Sequence, residues 1–125
     1  VRVYRPLFLV VALAGMVLAL SLELHPGIPH ARVSFFFWDY WLDTLKHFAG
    51  FMLIGFAYHL GVTGRLRATF VEYARTVWPV ALFGIAAELL QIWVPNRTCN
   101  FFDLLANAVG PFAGYLILRA FSRWE

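Results

Sequence analysis

The sequence predicts an all-α membrane protein of four transmembrane helices with both termini cytoplasmic, and three observations lead there. Hydrophobic residues fill 62% of the 125 positions and charged residues 14%, with a mean hydropathy of +0.71, a balance that an ordinary soluble domain does not keep in water. Four windows, at about Leu7 to Leu24, Leu45 to Val62, Val77 to Val94 and Leu104 to Phe121, approach the roughly 20 helical residues that cross a hydrocarbon core about 30 Å thick. Basic residues are also distributed asymmetrically between these windows. Arg2, Arg5, Arg65, Arg67, Arg75, Arg119 and Arg123 fall on one side, against Arg32, Lys46 and Arg97 on the other. The positive-inside rule then places the first side, with both termini, in the cytoplasm. An even span count requires the same agreement, and residues 1–125 form a single transmembrane domain.

The first span follows Arg2 and Arg5 as a signal peptide would, but its apolar run is long and Glu23-Leu-His-Pro lacks the small residues of a cleavage site, so it reads as a retained helix. The outer segment from His25 to Leu42 opens on Pro26, Gly27 and Pro29 and continues through Phe35-Phe-Phe-Trp-Asp-Tyr-Trp41. Aromatic rings at that density suit the headgroup level, as an interfacial anchor or as the wall of an amphiphile site. The inner segment from Gly61 to Thr76 places Arg65, Arg67 and Arg75 among Leu66, Phe70, Val71 and Tyr73, a composition for lying on an anionic cytoplasmic surface. The net charge of +3 is this topology signal and not a nucleic-acid patch. Cys99 is the single cysteine, which excludes an intrachain disulfide and a cysteine metal site. The sequon Asn96-Arg97-Thr98 lies too near the membrane surface for a comfortable glycan acceptor.

Polar residues then converge on one leaflet. Asp43 and His47, four apart, share a face at the outer start of span two beside Lys46; Glu88 and Gln91, three apart, share a face near the outer end of span three. Asp103 and Asn107 open span four, after Arg97 in the tight outer loop. Asp43 and Asp103 occupy positions where a carboxylate caps a helix, and Arg97 can snorkel. Glu88 has no capping role. A carboxylate in mid-span requires Arg97, Lys46, His47 or its own proton to offset desolvation, so the cluster reads either as a ligand or catalytic site or as a polar clasp between helices. Pro111 lacks an N–H, so the carbonyl of Asn107 loses its helical partner and is expected to face this cluster. Gly110 and Gly114 form a small-xxx-small packing face.

Glu88-x-x-Gln91, Pro95-x-Arg97 and Asp103-x-x-x-Asn107-x-x-Gly110-x-x-x-Gly114, preceded by the Asp43 to His47 spacing and Phe48, resemble the VanZ-like family of small bacterial membrane proteins. The resemblance implies a polytopic helical protein of the bacterial cytoplasmic membrane, in a family whose founding members are associated with low-level resistance to the glycopeptide antibiotic teicoplanin. It places the family's polar motif on Asp43, His47, Glu88, Gln91, Arg97, Asp103 and Asn107. Where the family commonly has Lys after the first Asp and Tyr four after the His, this chain has Thr44 and Phe51, and it carries Lys46 instead.

Two classes of function follow. In one, the outer cluster binds or processes a head group of a membrane lipid, a lipid-linked envelope precursor or a lipoglycopeptide, with Arg97 and Lys46 meeting an anion and His47 moving a proton with Glu88 or Asp103. In the other, the chain is an accessory subunit packed against a larger membrane protein complex. Ser34, Thr44, Thr98 and Cys99 lie in no nucleophile motif, and the spacing specifies neither a metal site nor a cofactor. The topology has a direct check: Cys99 should label with an impermeant maleimide from outside, and a cysteine introduced by Arg67→Cys should label only from inside. The reverse pattern would move the polar cluster to the inner leaflet.

Overall fold

A computed structural model describes residues 2–24, 37–95 and 101–123, with the side chains of 37–40 left aside. Among these residues there is no strand. The elements are α1 (Arg5–Leu24), α2 (Phe37–Thr63), α3 (Phe70–Leu90) and α4 (Phe101–Ser122), with short 3₁₀ turns at Arg2–Tyr4 and Gln91–Trp93. Three stretches, Arg2–Leu24, Phe70–Trp93 and Phe101–Ser122, are long and apolar enough to cross a membrane. α2 is longest at 27 residues, but Asp43, Lys46, His47 and His59 interrupt its apolar run.

Two boundaries differ from the expectation. α2 begins at Phe37 and not near Leu45, because a hydropathy window discounts the aromatic and polar turns that precede the apolar run. The aromatic segment is therefore partly the start of this helix, while its residues 25–36 lie outside those described, as do Arg32, Arg97 and Cys99. α3 begins at Phe70, well before Val77. Thr69 caps it: the Thr69 hydroxyl accepts from the Glu72 N–H at 3.2 Å, and the Glu72 carboxylate accepts from the Thr69 N–H at 3.2 Å. Much of the inner segment expected to lie on the surface is thus helix, which leaves a short connection from Gly64 to Thr69. Gly64 adopts φ +66° and ends α2 by donating its N–H to the Leu60 carbonyl.

Successive helices run in opposite directions. At one end, Arg5 of α1 donates to the Gly61 and Val62 carbonyls that close α2, where a cation also complements the helix dipole. Tyr115 of α4 donates to the Ala68 carbonyl just before α3. This half is packed by Leu60, Tyr73, Val77 and Leu118, with Phe8 and Phe56 against them, and the Tyr73 hydroxyl donates to the Pro111 carbonyl inside α4. Phe51, Ile54 and Val80 fill the next layer. Outward-facing Val10, Val17, Trp78, Leu82 and Leu116 remain exposed, the inverse of a soluble protein and the expected face toward lipid.

α2 and α4 approach backbone to backbone. A Cβ on Gly110 would stand 2.8 Å from the Phe48 carbonyl oxygen, and one on Gly114 would stand 2.7 Å from that of Met52. Gly114→Ala should therefore destabilise the bundle by about 1–3 kcal/mol through overpacking. Gly50→Ala, where a Cβ meets nothing within 4 Å, should not. Thermal unfolding of both variants in detergent checks the contrast.

Candidate functional site

At the opposite end, the last turn of α1, the start of α2, the end of α3 and the start of α4 meet around one imidazole. His47 is 17% exposed. Its Nδ1 lies 3.1 Å from Glu23 Oε1 and 2.9 Å from Asn107 Oδ1. Both neighbours are oxygens, so Nδ1 carries a proton and donates. The Nε2 side faces Asp43 Oδ2 at 3.7 Å and Asp103 Oδ2 at 3.8 Å. Glu88 of α3 is fully buried, and its carboxylate lies within 4.8 Å of the ligand atoms of both Glu23 and His47.

Asn107 sets this arrangement. Fully buried, it donates from Nδ2 to the Gly84 carbonyl of α3 at 3.0 Å and turns Oδ1 to His47 of α2, so one carboxamide joins three helices. Its own carbonyl oxygen, expected to face the cluster, packs toward α3 one turn before Glu88. That oxygen lies against Gly84, where a Cβ would come within 2.8 Å of it, because α4 runs on through Pro111 and packs this face on α3.

Asp103 lies in the first turn of α4, buried to 5% exposure, but its carboxylate turns to α2, where Oδ1 accepts from the Thr44 hydroxyl at 2.7 Å. Thr44 is therefore the partner of Asp103. Asp43 is not a cap, because α2 begins six residues before it; its side chain is 61% exposed at the rim. Gln91 is buried at the start of the 3₁₀ turn after α3, and Lys46 is exposed. The geometry thus gathers Asp43, His47, Glu88, Asp103 and Asn107, with Lys46 and Gln91 beside them. Arg97 lies outside the described residues.

Glu23 is the member that sequence reasoning passed over. It is 4% exposed, and its Oε2 is buried with no hydrogen-bond partner among the described residues. Its signal was present, since it is the single charged residue within the Leu7 to Leu24 run, but it was read only as flanking a cleavage site. A groove of about 730 Å³ opens beside it between α1 and α2. One end is polar, with Glu23, Asp43, Lys46, His47 and Gln91; the rest is apolar, with Val11, Gly15 and Ala19 facing Ile54 and Ala57. Twelve residues of α1 separate Glu23 from Val11, about 18 Å at the helical rise.

A family model described as VanZ/LLP1 matches residues 36–122, from the start of α2 to the end of α4. No curated protein and no solved structure matches the chain significantly. α1, with Glu23, stands outside the matched region.

Within the cluster, structural and rim positions should separate. Asn107→Ala removes one buried and one part-buried hydrogen bond and should lower stability by about 1–3 kcal/mol. Asp43→Ala should change it by no more than about 0.5 kcal/mol, as for an ordinary surface position. Chemical or thermal denaturation in micelles measures both.

Proposed function

Because the chain belongs to the VanZ/LLP1 family and is a multi-pass membrane protein, we propose that it binds an amphiphile in the groove between α1 and α2, with the head group at the His47 cluster and a hydrocarbon chain along the apolar length. The observation that carries this reading is the groove's asymmetry: it is polar at one end only, while the remaining wall continues the apolar character of the bundle's exterior. A water-soluble metabolite gains little from such a wall. A lipid, a lipid-linked envelope precursor or a lipoglycopeptide gains the burial of its chain, about 0.8 kcal/mol per CH₂ transferred from water.

The same proposal assigns α2 as a fourth span, both termini and the bundle's Arg5 end to the cytoplasm, and the cluster to the outer leaflet of a bacterial cytoplasmic membrane. Opposite faces of the bundle support that orientation. Arg5, Arg65 and Arg67 lie where α1 begins and α2 ends, away from the acidic cluster. An outer-leaflet site also fits the teicoplanin association of the family's founding members, because lipoglycopeptides and the precursors they bind are presented on that side.

Gly50 supplies the test, since it lines the groove and faces open space. Gly50→Leu should fold as the wild type does but fill the groove. Added phospholipid or lipid-linked precursor should stabilise the wild-type protein, by about 2.7 kcal/mol at a hundredfold excess over Kd, and leave Gly50→Leu unchanged. Equal stabilisation of the two proteins would place the ligand elsewhere.

A further inference from the structure

Glu23 of α1, His47 of α2 and Glu88 of α3 each present one ligand atom, and all three atoms lie within 4.8 Å of one another. Both carboxylates are at least nine-tenths buried. Burying two carboxylates side by side is unfavourable unless a cation or a proton offsets them, and the imidazole between them also has Asp43 and Asp103 on its far side. Glu23 Oε1 faces His47, while Oε2 is buried with no donor among the described residues. A buried carboxylate oxygen without a donor, at the edge of a groove, is a place for an electrophilic partner such as a cation.

We propose that Glu23, His47 and Glu88 bind one divalent first-row metal ion, Zn²⁺ or Mn²⁺. Imidazole nitrogen favours such ions over Mg²⁺ and Ca²⁺, the two carboxylates are compatible with them, and the triad itself offers no thiolate to select Cu(I). Donor atoms on a common ion at roughly 2.1 Å stand about 3 to 3.5 Å apart, so the ion draws the widest pair of the triad inward. At Nδ1 the ion takes the place of the proton, which leaves to solvent. Asn107 Oδ1, 2.9 Å from Nδ1, is a neutral oxygen at hand. The Nε2 side would then be held by Asp43 and Asp103, the latter fixed by Thr44, which is the carboxylate support that metal-binding histidines usually have. Three protein ligands leave a coordination position open, as in catalytic zinc sites, and Glu23 and His47 both line the groove. The inference concerns the same cluster as the amphiphile site but does not depend on lipid being bound there.

The test uses the full chain in detergent, stripped with EDTA and titrated calorimetrically with ZnCl₂ and MnCl₂. The expected result is one ion per chain, not displaced by equimolar MgCl₂, with affinity lowered roughly tenfold or more by Glu23→Gln and by Glu88→Gln. Glu72→Gln, which removes a carboxylate far from the site and retains a capping side chain, should bind as wild type does. Pulsed electron paramagnetic resonance of the Mn²⁺-loaded wild type, which requires no variant to fold, should show one directly bonded imidazole nitrogen. No stoichiometric uptake, uptake that survives both glutamate substitutions, or the absence of the imidazole signal would overturn the site. If lipid stabilises the protein and metal does not bind, the metal site falls and the groove reading stands; uptake of metal without any lipid effect has the opposite meaning.

Discussion

The rotation of every helix in this bundle answers to His47. Inside a membrane there is no water to satisfy a polar group, so a side chain such as Glu88 must find its partners within the protein. One imidazole meets Glu23 of α1, Asp43 of its own helix, Asn107 and Asp103 of α4, and lies within ligand reach of Glu88 of α3. Turning any of the four helices by one residue, about 100°, would strand a carboxylate or an amide in hydrocarbon. With that rotation fixed, Gly110 and Gly114 face α2, Gly84 faces Asn107, and the backbones can close to contact.

α1 holds a different position from the rest. Its buried residues are Ala12 and Glu23, and 11% of its apolar window is buried against 39% for α3 and α4. It is fastened at its ends, by Arg5 to the carbonyls of α2 and by Glu23 to His47, and the groove opens along its middle. Between these ends Phe8, Met16 and Ala19 of α1 pack on the apolar layers of the bundle. The tether at Glu23 belongs to the cluster itself, which couples the state of the site to the position of the helix.

Helical character, three of the four membrane-length runs and the small-residue face were legible from hydropathy and spacing because each is a property of one segment. Asp43 with His47, Glu88 with Gln91, and Asp103 with Asn107 were legible as pairs because helical periodicity fixes what shares a face. The partners across helices were not. Nothing in local spacing joins Glu23 to His47 or Thr44 to Asp103, since both contacts depend on how separate helices pack. The start of α3 was written in the sequence as Thr69-x-x-Glu72 and missed by a window that weighs only apolar content. Asp43 was misread as a cap because the start of α2 was set too late, where the aromatic turns from Phe37 already carry the helix.

Whether the cluster is a site or a clasp turns on what the buried carboxylates do for stability. A clasp that loses one charged member typically costs about 3–5 kcal/mol, because the remaining charge is left uncompensated. Groups kept for a ligand are often unfavourable where they stand. The most direct measurement is the unfolding free energy of Glu23→Gln and Glu88→Gln in detergent without lipid or metal. A ligand site gives values within about 1 kcal/mol of wild type, or above it, as neutralisation relieves the buried charge. A loss of about 3 kcal/mol or more in both variants would make the cluster a clasp and leave the groove without its head-group site.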